Sequence, residues 1–404
     1  MKNISDLSKE ELLGIAKNHY FSLGPNDGAA SLCKWNFAYG LSKIHYAQEK
    51  LGLKPNATFI STPDETITKN RERWQAGYGY GGKLVWNDKP EHLIFIDAKP
   101  NACGMLVGGL EELPIYSDIV KRINKMLSED YYIDDIKINW DFKKGNHFID
   151  VFELEKKALI DGLPPYAFII HGSAPELRSE TTKGIGLYYD KSKTLKEMSK
   201  KVNTPFGPVF YLENDDAKEY FNFFLYSKKF AAEKRKKAAE LLFEKYSILS
   251  NPMHQGLIDY NELLLGSQII NKTEDKLFPI ALRSDLPAYL MVGKKSIDES
   301  IIDQFGFEKR AKNYDIYERL VNFNVLPHGG GYQIPHLTKV IKVEEIDNER
   351  YFICEQENED AITIITDVED VQFIYRGKSV INRTIELGLG NIFYKMFPKY
   401  ILKI

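Results

Sequence analysis

Two histidines stand beside strand-like runs between residues 140 and 178, and this stretch constrains the fold more than any other. His147 directly precedes FIDVF, and the apolar run Tyr166–Ile170 ends on His171 and a glycine-serine turn. Short runs of β-branched and aromatic residues bounded by glycine predict strands. A histidine at a strand end can point into a cleft while the strand holds its backbone, as metal ligands are commonly mounted. The alternative for either histidine is a buried side chain with satisfied hydrogen bonds.

Length and charge set broad limits on function. The chain has 404 residues and 43% hydrophobic content, so it can bury a large core in two or three domains or in one large α/β domain. A net charge of -3 argues against a protein that coats polyanions nonspecifically, but it allows a local basic groove. Cys33, Cys103 and Cys354 are too few for a disulfide framework, which indicates a reducing compartment.

The N-terminal twenty residues predict an amphipathic helix. Ser8 followed by Glu11 is typical of a capping box. The segment lacks the apolar core of a signal peptide, and no apolar run approaches the roughly 20 residues that span a bilayer. We therefore expect a cytoplasmic protein that does not enter a membrane.

A glycine-dense segment and a cysteine turn follow the N-terminal helices. Residues 75–83, QAGYGYGGK, could cradle a phosphate, but they lack the spacing of a Walker loop, and a plain turn or hairpin is favoured. Cys103 lies in a glycine-flanked turn, where it is either a small buried hydrophobe or a thiolate ligand. Asp97 and Asn101 are nearby candidates for oxygen ligands.

Lysines concentrate in two further segments. One is 181–202, and the other is a long helix predicted over 216–246. We expect the basic residues of that helix in water: Lys228, Lys229, Lys234, Arg235, Lys236 and Lys237. Such charge runs are usually solvated faces, and a wall of a nucleic-acid groove is the alternative.

Four of the eight histidines, together with one cysteine, lie where an apolar run meets a turn: His147, His171, His254, His328 and Cys103. Neutral imidazoles with a thiolate suit zinc, manganese, iron or cobalt better than magnesium or calcium. No two of these residues have the spacing of a zinc finger or an HExxH helix. The residues alone therefore predict no more than a metal site assembled from distant loops.

The order of these motifs resembles the RtcB family of RNA ligases, from about Gln75 to the C-terminus. That family joins RNA 3′-phosphate or 2′,3′-cyclic phosphate ends to 5′-hydroxyl ends. The chain's QAGYGYGGK, NACGM, GNHFID and IIHGSAPELR resemble the family's HPGYGFPIGG, DxxCGM, GNHFxE and VHSGSRG. Its EYFNFFLYSKKFAAEKR, RSDLPAYLMVG, LPHGGGY and PKYILKI resemble EYLxAMxxAxNYAxxNR, PGSMGTxSYLVxG, CHGAGR and PLGVxKG.

The resemblance implies a role for each matching residue. It implies that His328 becomes covalently guanylylated. The implied metal ligands are Cys103, His147, His171 and His254, with Asn101 or Asp97 replacing a family aspartate. The implied nucleotide contacts are Asn146, Asp150, Ser284, His328, Gly329, Gly331 and Lys403, and the implied RNA contacts are Arg178 and Arg235.

Several positions depart from the family pattern and mark a divergent member. Pro100 stands where the family has its metal-binding aspartate, and Tyr332 stands where it has an arginine. Gln75 replaces a histidine, and Asp150 replaces a glutamate. The family's serine-glycine-serine-arginine turn becomes residues 172–175, with Arg178 displaced.

The resemblance implies an α/β fold of the α+β type. It implies one large domain over 1–404, with packed β-sheets around a central metal cleft and helices outside. Residues 1–60 are expected to be its helical N-terminal part, and residues 75–404 carry the motifs.

The implied activity is an RNA ligase that works through a histidine-GMP intermediate. It would use GTP and one or two Mn²⁺ ions, act as a monomer, and serve tRNA splicing or RNA repair. Two alternatives stay open: a catalytically inactive protein that binds RNA ends, and a metal-dependent phosphohydrolase that uses the same cleft.

Overall fold

The computed structural model describes residues 3–88, 91–142, 145–271, 277–358, 360–369 and 371–402. Two 3-10 helices span Ile4–Asp6 and Pro175–Leu177. The α-helices in the described ranges are α1 (Lys9–Asn18), α2 (Gly28–Lys50), α3 (Arg71–Ala76), α4 (Tyr116–Ser128), α5 (Lys156–Ile160), α6 (Lys193–Met198), α7 (Asn214–Leu242), α8 (Glu299–Gln304), α9 (Glu308–Asn313), α10 (Tyr317–Val321) and α11 (Ser379–Glu386).

The strands in the same ranges are mostly short. They are β1 (Tyr20–Phe21), β2 (Thr58–Thr66), β3 (Tyr80–Val85), β4 (Leu93–Phe95), β5 (Cys103–Leu110), β6 (Tyr132–Ile133), β7 (Ile136–Lys137), β8 (Phe148–Leu154), β9 (Tyr166–Gly172), β10 (Lys200–Thr204), β11 (Gly207–Glu213), β12 (Ser247–Ser250), β13 (Met253–Leu257), β14 (Glu262–Leu265), β15 (Ser267–Ile269), β16 (Phe278–Ile280), β17 (Ala288–Gly293), β18 (Val325–Pro327), β19 (Tyr332–Gln333), β20 (Leu337–Ile346), β21 (Glu349–Gln356), β22 (Ile362–Ile365), β23 (Ile374–Tyr375) and β24 (Gly390–Leu402).

One large sheet organises the described part of the chain. It has twelve strands in the order β1-β2-β3-β14-β13-β5-β9-β8-β24-β17-β16, with β12 also paired to β5. β1 and β2 run parallel, whereas the central strands pair antiparallel. The strand order does not follow the chain order, so neighbours in the sheet come from distant parts of the sequence. This topology explains how distant loops can supply one site.

The two N-terminal helices α1 and α2 begin at side-chain caps. Ser8 accepts a hydrogen bond from the backbone of Glu11, whose side chain in turn accepts one from the Ser8 N–H. The predicted capping box is therefore present. Asp27 caps α2 by accepting a hydrogen bond from the Ala30 N–H. α2 is buried on most of its surface, which is typical of a helix inside a large core. α7 packs against β5 and β9.

The C-terminal strand lies inside the large sheet rather than at its edge. β24 pairs with β17 on one side and with β8 on the other. The Leu402 N–H donates a hydrogen bond to Asp150 Oδ1 at 3.2 Å. The end of the described chain is thus fixed in the sheet.

The α+β fold class agrees with the expectation, while several boundaries differ. The N-terminal part expected to be helical contains β1 and the start of β2, and the helix expected over 216–246 spans 214–242. The glycine-dense segment 75–83, expected to be a plain turn or a hairpin connection, covers the end of α3 and most of β3, which pairs antiparallel with β2. The single-domain organisation stays a prediction. None of the helices in the described ranges is long and apolar enough to cross a membrane.

Candidate metal centre and nucleophile

Neighbouring strands of the large sheet bring the expected metal ligands together. β13, β5, β9 and β8 lie side by side in that order. His254 is in β13, Cys103 begins β5, His171 is the next-to-last residue of β9, and His147 directly precedes β8. The register pairs Cys103 with Gln255, the residue after His254. Strand register, rather than closeness in sequence, therefore assembles this group.

The ligand atoms lie at distances that fit a shared cation. Cys103 Sγ is 3.3 Å from His147 Nε2 and 3.2 Å from His171 Nε2. His171 Nε2 is 3.2 Å from His254 Nε2. Two ligands that each bind a zinc-like ion at about 2.0–2.3 Å are about 2.8–3.8 Å apart for bond angles between about 90° and 110°. Cys103, His171 and His254 are all buried, and their ligating atoms lie within 4.8 Å of one another.

The protonation states of the histidines suit metal binding. Burial, reinforced by neighbouring histidines, lowers the pKa of His171 and of His254 well below the ordinary value. Both rings are therefore neutral near pH 7, as metal ligands must be. Burial also lowers the pKa of His147, but the charges of Cys103 and Asp141 outweigh it and raise that pKa to about 10. A cation bound there would replace a proton.

Hydrogen bonds from Arg73 hold the turn before Cys103. The buried Arg73 donates hydrogen bonds to the carbonyl oxygens of Ala98 at 2.7 Å and Lys99 at 2.8 Å. Ala102 has a φ of +55°, a conformation uncommon for a residue with a side chain. The Arg73 hydrogen bonds offset this strain and fix the direction of the cysteine side chain.

His328 approaches the same group from the loop after β18. Its ring centroid is 4.4 Å from that of His254. Its Nδ1 is 2.9 Å from Asp64 Oδ2 and 2.7 Å from the Gly266 carbonyl oxygen. Asp64 Oδ2 also accepts hydrogen bonds from the backbone N–H groups of His328 at 3.1 Å and Gly329 at 3.2 Å. With Nδ1 engaged, Nε2 is the nitrogen left for chemistry.

The glycines after His328 allow close packing on β2. Gly331 has a φ of +63°, and a Cβ there would lie 2.4 Å from the Asp64 carbonyl oxygen. Any other residue would push the loop away from β2 and from the Asp64 carboxylate. The glycine at 331 therefore lets this loop lie directly against β2.

One cavity of about 370 Å³ is lined by His328 and by the candidate metal ligands Cys103, His147, His171 and His254. Its other lining residues include the expected nucleotide contacts and two tyrosines: Asn146, Asp150, Ser284, Gly329, Gly331, Tyr332 and Tyr375. Ile401, two residues before Lys403, also lines the cavity. Lys403 itself lies outside the described residues, so its expected nucleotide contact stays a prediction.

The two candidates for the missing carboxylate lie in different places. Asn101 lines the cavity, and its Oδ1 accepts a hydrogen bond from the Cys103 N–H at 3.0 Å. Asp97 is buried and accepts a hydrogen bond from the Phe210 N–H at 2.9 Å. Asp97 is held by another segment and is not among the lining residues, so its metal-ligand role stays a prediction, and Asn101 is the candidate that lies in the cavity.

The expected RNA contacts do not line the cavity. Arg235 is 2% exposed and donates hydrogen bonds to the Gly172 carbonyl oxygen and to Asn251 Oδ1. Its guanidinium packs so closely on Gly104 that a Cβ there would lie 2.7 Å away. The RNA-binding role predicted for Arg235 is therefore wrong, since the side chain supports β5 and β9. Arg178 is half-buried, and its guanidinium lies 5.4 Å from the centre of the Tyr188 ring.

Several polar residues of this region were not singled out in the sequence. Asp64 lies in the fully buried strand β2, and Asp141 lies in the loop before His147. Lys234, expected in water, is 1% exposed. The sequence signal for Lys234 was weak, since it lies within a run of lysines. Asp64 follows a proline inside a strand-like segment, which gave no indication of a partner 264 residues away.

Comparisons with known proteins identify no relative. No family model matches the chain, and no curated protein matches it. What the chain does must therefore be inferred from the geometry of the site and from the motifs that resemble the ligase family.

Proposed function

We propose that the protein is a GTP-dependent RNA ligase that joins RNA 3′-phosphate or 2′,3′-cyclic phosphate ends to 5′-hydroxyl ends. The observation that carries this proposal is the position of His328. Its ring lies beside His254 of the thiolate-imidazole cluster, and Asp64 holds its Nδ1. A histidine fixed in this way is a nucleophile placed beside a cation site.

The donor set fits a borderline transition metal such as manganese. Cys103, His147, His171 and His254 would hold one or two ions, with Asn101 as an additional oxygen ligand. A bound divalent cation would act as a Lewis acid on the phosphates of the nucleotide. The neutral state of His171 and His254 supports this assignment, because protonated imidazoles cannot ligate a metal.

The residues of the cavity support a specific sequence of steps. Nε2 of His328 would form a bond to the α-phosphorus of GTP while the bond to pyrophosphate breaks and pyrophosphate leaves. Asp64 would stabilise the positive charge that develops on the imidazole. A 2′,3′-cyclic phosphate end would first be opened by water to a 3′-phosphate. The guanylyl group would then pass to the RNA 3′-phosphate as its bond to His328 breaks, and it would leave as GMP when the RNA 5′-hydroxyl attacks. Asn146, Asp150 and Ser284 line the space in which the nucleotide would lie.

Covalent labelling with GTP tests the proposal. The full-length protein is incubated with manganese and GTP labelled at the α-phosphate, and the denatured protein is analysed for bound label. We expect label on the unchanged protein and none on His328→Ala, with equal metal content in both. His336→Asn is the control, since that histidine is 79% exposed and, among the described residues, its side chain contacts Glu357.

The other outcomes separate the alternatives. Manganese-dependent release of phosphate from RNA ends without any labelling would favour the phosphohydrolase. Binding of RNA ends without labelling or phosphate release would favour the inactive binding protein. Persistent label on His328→Ala would disprove the assigned nucleophile.

A further inference from the structure

A group of buried charges lies behind one of the candidate metal ligands. Lys234 is 1% exposed and Asp141 is 2% exposed. The Lys234 ammonium lies 3.0 Å from Asp141 Oδ1 and 2.9 Å from Glu176 Oε1. It also donates to the carbonyl oxygens of Asn139 at 2.6 Å and Ser173 at 3.1 Å. Burying a lysine and two carboxylates is costly even when they are paired, because each charge loses its hydration. We therefore ask what this ion-pair group does for the neighbouring site.

Asp141 connects this group to His147. Its Oδ2 lies 2.8 Å from His147 Nδ1. The same oxygen accepts hydrogen bonds from the Ser173 N–H at 3.1 Å and the Ser173 hydroxyl at 2.9 Å. Lys234 of α7 and Ser173, just after β9, therefore fix the carboxylate from two sides. A carboxylate fixed in this way sets both the tautomer and the ring direction of the histidine it contacts.

The histidines of the cluster differ in the atom that their Nδ1 contacts. His171 Nδ1 lies 3.0 Å from the Asn146 carbonyl oxygen. His254 Nδ1 has no hydrogen-bond partner among the described residues. Within the described part of the chain, His147 is thus the cluster histidine whose Nδ1 faces a carboxylate. Its side chain is also 11% exposed and follows an exposed turn, whereas His171 and His254 lie within strands.

We infer that Asp141 is a positioning residue for the metal centre, which it serves by holding His147 so that its Nε2 faces Cys103. Lys234 keeps Asp141 in place and balances its charge, and Glu176 in turn holds Lys234. This inference rests on the proposed metal centre, but it does not depend on the ligase chemistry. Loss of the carboxylate would leave Cys103, His171 and His254 in place and release the fourth ligand.

Cobalt(II) binding to the full-length protein tests the inference. Cobalt reports both affinity and the number of ligands through its visible absorption, and its thiolate band reports on Cys103. We expect Asp141→Asn to bind cobalt roughly 10–100-fold more weakly than the unchanged protein, with an altered absorption spectrum. Asp135→Asn is the matched control, because its carboxylate is 91% exposed and its loss should change neither quantity.

A double-mutant cycle distinguishes positioning from a general loss of structure. In a His147→Ala background, Asp141→Asn should weaken cobalt binding no further, because Asp141 acts through His147. Asp141→Asn leaves Lys234 paired with Glu176, so no buried ammonium becomes unpaired. If that variant does not fold, Ser173→Ala serves instead and should weaken binding by roughly 2–5-fold only while His147 is present.

The outcomes separate this inference from the proposed function. If the unchanged protein and Asp141→Asn bind cobalt with equal affinity, the positioning role is wrong. Additive losses of cobalt affinity in the double-mutant cycle would also overturn that role. Neither result would affect the proposed function. Cobalt binding with the expected loss but without GTP labelling would overturn the ligase and support the positioning role. Absence of cobalt binding in the unchanged protein would overturn both.

Discussion

Two groups of histidines in this protein differ in the atoms that surround their rings. His19 and His45 form one buried pair, with ring centroids 4.5 Å apart. His19 directly follows α1, and His45 lies within α2. His19 Nδ1 lies 3.1 Å from the Ile15 carbonyl oxygen, and His45 Nε2 lies 2.8 Å from that of Ala57. The cleft group of His147, His171 and His254 contacts Cys103 and lines a cavity instead.

The difference shows that burial of histidine is not in itself a sign of function. The rings of His19 and His45 are neutral near pH 7 because burial lowers their pKa values, as it does for His171 and His254 in the cleft. However, each ring of that pair contacts a carbonyl oxygen, and neither is among the residues that line the cavity. A cysteine sulfur, converging Nε2 atoms and open space are what distinguish a candidate site from a packed pair.

Removal of one histidine from each group should give the sharpest contrast. His171→Asn takes away the ring that contacts both Cys103 and His254, so metal affinity should fall by more than the roughly 100-fold expected for a supporting residue. His45→Asn should lower stability but leave the metal content of the folded protein unchanged. Metal analysis of the folded fraction of each variant measures the metal content. Equal metal loss in the two variants would show that the two histidine groups do not differ in metal binding.

Acid should affect the pair of His19 and His45 through stability. The pKa of His19 is lowered to about 4 by burial and by nearby positive charges. Between pH 6.5 and about 4 the unfolded chain binds a proton that the folded chain does not, so stability present above pH 6.5 is lost as the pH falls. The loss attributable to His19 is about 3 kcal/mol.

Denaturant unfolding at pH 7 and pH 4.5 checks this expectation. His19→Asn should reduce the difference in unfolding free energy between the two pH values, while His336→Asn should not. His336 is a suitable control because it is exposed and has a φ of +65°, which asparagine tolerates. An unchanged pH dependence in His19→Asn would show that its ring is not held neutral by the fold.

The candidate ligands were predictable from the sequence because each lies at a strand boundary. His147, His171 and Cys103 lie at or beside the ends of β8, β9 and β5, where the local pattern of apolar run and glycine turn is visible. Their convergence was not predictable from spacing, since it depends on the order β13-β5-β9-β8 in the sheet. Their residue types and border positions indicated a metal site assembled from distant loops, and the resemblance to a family supplied the set of ligands.

The supporting charges could not be read from the sequence. Lys234 and Arg235 lie within a run of basic residues on α7, and periodicity alone places such residues in water. Their burial depends on partners from distant segments, Asp141 and Glu176 for Lys234, and Gly172 for Arg235. Long-range pairing of this kind leaves no local pattern.

Replacement of Asp64 should separate the nucleophile from the metal cluster. Asp64→Asn keeps an oxygen near His328 Nδ1 but removes the negative charge. Labelling by GTP should slow by roughly 10–100-fold because the developing imidazolium loses its stabilising partner. Metal content should not change, since the structure places Asp64 against His328 and its loop. A rate equal to that of the unchanged protein would show that Asp64 only shapes the loop.

The smallest expected effect concerns Asn101, where a neutral amide stands beside Cys103. Its Oδ1 accepts the Cys103 N–H, and aspartate can make the same hydrogen bond while adding a negative charge toward the cation. Asn101→Asp should therefore tighten binding of a second metal ion by about tenfold. Calorimetric titration with manganese measures this change.

Asn70→Asp is the matched control for that substitution. Asn70 lines the same cavity, but its side chain caps α3 by accepting a hydrogen bond from the Arg73 N–H, a role that aspartate fills equally well. A carboxylate at 70 adds the same charge to the cavity without the contact to Cys103. Tighter binding in Asn101→Asp alone would identify Asn101 as the ligand position, whereas an equal gain in both variants would reduce the effect to the overall charge of the cavity.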